Sequence, residues 1–160
     1  MKKLVIFAVL AAITFACGTS KTVVETKKVI KGYWSLDDIS YSESGTFAVQ
    51  LLNDTSRECF EGSTWRFIPN NNTAVYTINN SDCPTGDRHF IFIIQEVNAA
   101  NGLYEFFLKP TNAKHKSEDN AYFRMQLVQM SGSSMKWEQS VTLEGALFII
   151  TMNFSKIAEK

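Results

Sequence analysis

Eight stretches of this chain set bulky apolar side chains on every second position, and clusters rich in Gly, Asn, Ser or Pro punctuate them. A period of two belongs to strands, because successive side chains leave a strand on opposite faces. The stretches are residues 32–41, 63–68, 73–79, 88–97, 103–109, 121–130, 135–143 and 146–155. In the fifth, Tyr104, Phe106 and Leu108 alternate with Glu105 and Lys109. In the sixth, Phe123, Met125 and Leu127 alternate with Arg124 and Gln126. Met135, Trp137 and Val141 share a face of the seventh, as do Phe148, Ile150, Met152 and Phe154 of the eighth. Most connections are short, so consecutive strands are antiparallel neighbours. One apolar and one polar face per strand describe a sheet wrapped around its own core. Eight such strands close into a barrel just wide enough to be filled by side chains or to hold one small ligand. A two-sheet Greek-key sandwich needs longer crossing connections than this chain has. The expected fold is all-β, an eight-stranded up-and-down antiparallel barrel.

One segment breaks the alternation. Between the first two strands, Phe47, Leu51 and Leu52 recur at helical spacing. Asp54-Thr55-Ser56 offers an N-cap, Glu58 lies at capping-box distance from Thr55, and Gly62 supplies a stop. The pattern predicts one short helix over residues 56–60, packed on one end of the barrel and carrying Cys59. Asp37 and Asp38, adjacent on the first strand, are expected on opposite faces, which suits neither a metal clamp nor an acid/base pair. No charged residue is expected on the inward positions that carry the aromatic side chains.

The first residues read differently. Met1-Lys2-Lys3 is a basic start, residues 4–16 are a short uncharged apolar run, and Cys17 follows directly. This is similar to a bacterial lipoprotein signal, in which the Cys becomes the lipidated first residue; the alternative is an ordinary secretory signal cleaved nearby. It departs from the lipoprotein pattern at Thr14, where Leu is usual. Acyl chains on one Cys would anchor the protein without a transmembrane helix. Residues 18–31 are poor in bulky apolar side chains and read as a flexible tether. The expected organisation is a signal over 1–16, lipidated Cys17 and tether over 17–31, and the barrel over 32–160. Losing Lys2 and Lys3 takes the 16 basic residues to 14 against 16 acidic. Nothing in that balance suggests a nucleic-acid partner or an anionic membrane surface.

Cys17 given to lipid leaves Cys59 and Cys83 in an oxidising compartment, where they are expected to pair. His89 and His115 stand in no ligand spacing with them, so no metal is expected. No nucleophile-elbow or phosphate-loop motif occurs. His89, beside Asp87 and Arg88 at a loop–strand junction, reads as a solvated or hydrogen-bonded side chain rather than a catalytic one. Lys114-His115-Lys116 reads as a solvated loop run.

The opening Gly32-Tyr33-Trp34-Ser35-Leu36 resembles the first-strand signature of lipocalins, in which the Trp closes one end of the barrel. Residues 58–67, with the spacing Cys59-x-x-x-Ser63-x-Trp65, resemble lipocalin-like lipoproteins of Bacteroidetes-type bacteria. So do the Asn-rich hairpin from Pro69 to Tyr76 and the late Asn153-Phe154-Ser155-Lys156. The Thr-Asp-Tyr motif of lipocalins is absent. Their late Arg, which stacks on the first-strand Trp, has Lys156 as its nearest counterpart. The resemblance implies a structural role for Gly32 and Trp34 and a small hydrophobic ligand.

The expected function is accordingly an envelope-anchored, non-enzymatic carrier of a small hydrophobic molecule, monomeric and without cofactor, at the outer membrane. Its ligand contacts are expected from Trp65, Phe67, Tyr104, Phe106, Phe123 and Trp137, whose faces closure brings around one axis. The alternative is an interaction or structural lipoprotein whose barrel those rings fill.

Overall fold

Every alternating run becomes a strand of one closed sheet. The computed structural model describes residues 21–98, 103–117, 119 and 121–158; the signal over 1–16, Cys17 and the first tether residues lie outside these. The strands are β1 (Gly32–Tyr41), β2 (Thr64–Ile68), β3 (Thr73–Ile78), β4 (Gly86–Asn98), β5 (Leu103–Thr111), β6 (Phe123–Met130), β7 (Ser134–Leu143) and β8 (Ala146–Ile157). They follow one another around the barrel in chain order, and β8 pairs back onto β1. The turn at Glu144 and Gly145 has positive φ at both positions (51° and 83°), the geometry whose twist matches a two-residue hairpin.

Trp34, Leu36, Trp65, Phe67, Phe92, Phe106, Met125 and Trp137 are all at or below 1% exposure. Expelling side chains of this size from water is the main driving force for closure.

Two elements lie outside the barrel wall, α1 (Lys21–Ile30) and α2 (Arg57–Phe60). The first corrects the tether reading from Lys21 onward. Val23, Thr26 and Ile30 are buried at helical spacing. That stripe is narrow and includes a Thr, so it is faint in the sequence. The helix lies across the pole where β1 starts and β8 ends. Its last carbonyls, which lack intrahelical partners, are taken up there. Trp34 Nε1–H donates to Ile30 O at 2.7 Å, and Lys156 Nζ donates to Val29 O at 2.8 Å. The same ammonium stands 5.1 Å from the Trp34 ring centre, so Lys156 takes the stacking position expected for a late Arg. Lys27 Nζ ties the helix to Asn72 Oδ1 at 2.6 Å.

Two local expectations are also corrected. A bulge between Leu36 and Asp38 shifts the register against β8, so Asp37 and Asp38 are both exposed and Ile39 resumes the inward face. The N-cap of α2 is Ser56, within the expected Asp54-Thr55-Ser56 cluster. Thr55, expected to form a capping box with Glu58, instead closes a bridge with Leu51.

The other pole carries residues 42–63 with α2, the β3–β4 loop, the β5–β6 loop and the β7–β8 turn. Here Cys59 and Cys83 are joined, Sγ to Sγ at 2.00 Å, fastening α2 to the β3–β4 loop. Strand β5 runs on through Pro110, which pairs with Phe90 of β4. The last β5–β6 pair is Leu108 with Phe123, so Pro110 sits where β5 has become an edge, the place a sheet tolerates it.

Candidate ligand site at the open pole

Four of the six expected ligand contacts come together. The Trp137 ring lies 5.8 Å from Trp65, 5.7 Å from Phe67 and 5.2 Å from Phe106, centre to centre. Phe154 joins them at 5.0 Å from Trp137. These distances are those of rings in mutual contact, so the rings occupy the barrel's middle themselves. The Cys-x-x-x-Ser-x-Trp spacing gains a physical reason here, since Trp65 Nε1–H donates to the buried Ser63 Oγ at 2.9 Å. The Trp137 indole N–H has no partner among the described residues.

Tyr104 and Phe123 stand apart from this cluster. Tyr104, at the start of β5, lines a recess of about 270 Å³ between α1 and the end of β6, with Thr26, Val29, Leu127 and Met130. Phe123, at the start of β6, is half-buried near the open pole.

Above the rings, the open pole holds a cleft of about 510 Å³. Its apolar lining comes from Leu52, Phe90, Pro110 and Ala113; its polar lining comes from Asp54, Tyr76, Asp87, Arg88, His89 and Thr111. The floor is continuous with the core, for Tyr76 stacks on Phe90 at 5.3 Å and on Trp65 at 4.7 Å. On one side Phe60 of α2 leans on Tyr76 at 5.1 Å. Across the mouth, Phe47 packs against Tyr41 at 5.6 Å and Phe148 at 4.9 Å.

The polar groups divide into those already engaged and those with capacity to spare. Asp54 accepts from the Tyr76 hydroxyl at 2.7 Å and from Arg88 Nε at 2.8 Å. Arg88 also donates to Gly86 O at 2.8 Å and Pro84 O at 2.7 Å, so its guanidinium clasps the β3–β4 loop. Burial first, and then the hydrogen bond to Asp54, push the Tyr76 phenol well above its ordinary pKa. Asp87 accepts from Thr77 Oγ1 at 2.7 Å. Two groups remain. His89 and Thr111 pair across β4 and β5 on the strand face opposite Arg88 and Phe90, where His89 Nδ1 and Thr111 Oγ1 are secluded from solvent and without a partner among the described residues. The His115 ring lies edge-on to His89 at 6.0 Å.

The cleft corrects the expectation that no charge lies on inward positions. Arg88 shares its strand face with Phe90 and Phe92, a parity readable in the sequence. Its partner Asp54 comes from a loop, where no periodicity announces it. Among the described residues, no group of three or more His, Cys, Asp or Glu is placed to hold a metal ion.

A closed, eight-stranded antiparallel barrel with a Trp at one capped pole and a cleft at the other is a lipocalin-like fold. The chain is similar to the solved structure of a lipocalin-like protein from Bacteroides uniformis ATCC 8492, with a TM-score of 0.50 at 12% identity. The match covers 81% of this chain and 99% of that one. No protein-family model matches the sequence, and no curated protein does.

Proposed function

We propose that the protein binds a small, partly apolar molecule in the cleft at the open pole rather than deep in the barrel. One observation carries this reading. A cleft of about 510 Å³ opens above a floor of packed rings, its lining part apolar and part polar, with the Asp54–Arg88 ion pair on the polar side. The volume lies within the usual range for small-molecule sites, about 300–1,000 Å³. Leu52, Phe90 and Pro110 suit an apolar body. The role is binding rather than catalysis, because both carboxylates in the cleft are already committed to neighbouring donors.

The test is calorimetric titration with fatty acids, retinoids and quinones. Leu52→Ala is expected to weaken binding about tenfold through lost apolar contact. Trp137→Ala is expected to leave it nearly unchanged. Weakening by Trp137→Ala alone would move the ligand into the barrel, among the contacts expected from sequence. The ring cluster also favours a second reading, a solid-barrel interaction protein, for which no compound would bind.

The Cys17 anchor belongs to the same proposal. The basic start, apolar run and following Cys support export to the bacterial envelope and attachment at the outer membrane as a lipidated monomer.

A further inference from the structure

A net charge of zero hides an uneven distribution along the barrel axis. On α1, the face turned away from Val23, Thr26 and Ile30 presents Lys21 and Lys28, and Lys31 is exposed just past the helix. Arg66 near the end of β2, Lys136 near the start of β7 and Lys156 near the end of β8 surround the same pole. Against them stand Glu25, ion-paired with Lys28 at 2.8 Å, and, among the described side chains near the start of β5, Glu105, ion-paired with Arg124 at 2.9 Å. The opposite pole exposes Glu43, Glu58, Asp82, Asp87 and Glu144, with Lys114 and Lys116 on one loop.

The basic pole is covered by α1, with the recess beside Tyr104 at its edge. Val24, 40% exposed, sits among its lysines. An apolar side chain in a basic helix face suits the boundary between water and lipid. Three residues separate Cys17 from Lys21. Fully extended, four residue steps reach about 14 Å, so an anchor on Cys17 would hold α1 close to the bilayer, within or near a Debye length of about 8–10 Å.

We propose that the α1 pole is a docking face for the acidic phospholipids of a bilayer surface, leaving the cleft directed away from the membrane. The docking uses the anchor's position but not its chemistry, so its test removes the anchor. Residues 17–160 carrying Cys17→Ser are mixed with vesicles of phosphatidylcholine alone or with phosphatidylglycerol added, and bound protein is measured by flotation. Binding is expected with phosphatidylglycerol, falling as salt rises. Each basic residue near such a surface is worth roughly a fivefold change in partitioning. The triple variant Lys21→Gln, Lys28→Gln, Lys31→Gln is therefore expected to lose binding by more than tenfold. Lys114→Gln with Lys116→Gln, at the other pole, is expected to keep it, and circular dichroism checks that both variants are folded. Absence of binding, equal binding to both vesicle types, or equal loss in the two variants would overturn the proposal. So would retention on heparin that matches vesicle binding in salt dependence and in its response to both variants, because the pole would then be a general polyanion face.

Discussion

Tyr76 joins the ring-filled core to the polar cleft, its ring stacked on Trp65 and its hydroxyl donating to Asp54. Tyr76→Phe keeps the ring and removes the donor. Asp54 keeps Arg88, so the cost is expected at the low end for a hydrogen bond to a charged group, about 1.5 kcal/mol, read by urea unfolding at neutral pH. The phenol's pKa is raised above its ordinary 10.0 by burial and by Asp54. Its contribution is therefore complete below pH 10 and is lost as pH climbs beyond it, while the unfolded chain ionises. The difference between wild type and Tyr76→Phe should narrow from roughly pH 9 to 11. A difference that stays constant over that range would show that the hydroxyl is not held in its neutral form by the fold. Lys156 is the other informative residue. Its position near the end of the chain pointed to Trp34, and the ammonium over the indole is what the structure places there.

At the scale of elements, α1 and the disulfide invite direct measurement. Ile30 is fully buried under the pole. Ile30→Ala is expected to cost about 2–4 kcal/mol through lost burial and the cavity left behind, whereas a residue in a loose tether would be neutral. Replacing Cys59 and Cys83 together by Ala opens a link of sequence separation 24, which should cost about 3–4 kcal/mol on the chain-entropy account. A reduced wild type as stable as the oxidised one would contradict that. These elements also mark where the sequence could and could not be read. Strands buried on one face announce themselves by alternation, and all eight were visible for that reason. The helix α1 buries three side chains, one of them Thr26, so its periodicity is too sparse to stand out. The cleft lies mostly beyond the reach of any period. Leu52 and Asp54 come from a loop, and Thr111 stands past a Pro110 that reads as the end of a strand. His89 reads from sequence as solvated or hydrogen-bonded, because its seclusion depends on β5 and on His115, which only the closed sheet brings near.

For the molecule as a whole, the poles differ in build: one is covered by α1 with Lys156 at its edge, the other is open. If Cys17 carries the anchor, Cys17→Ser should move the protein from the membrane fraction to the soluble one in its host, apart from the salt-sensitive remainder that the basic pole would hold. Undiminished, salt-resistant membrane association after that change would rule the anchor out. The disposition of the strands has a kinetic consequence as well. Seven of the eight pairings join neighbours along the chain, but β1 with β8 unites residues as far apart as Asp38 and Asn153. Contacts of such separation carry the largest loop-closure entropy and tend to form late. That seam is a property of where the chain is cut, not of the barrel. Both flanks of the seam lie at one pole, with Lys156 bonded to Val29 O. A circular permutant that links the chain after Ala158 to Lys21 and opens it at Glu144 and Gly145 would turn β8–β1 into a local pair. It would hand the late closure to β7 and β8. Ile39→Ala, which weakens the β1–β8 join, should then slow folding in the permutant and mainly speed unfolding in the natural order of strands.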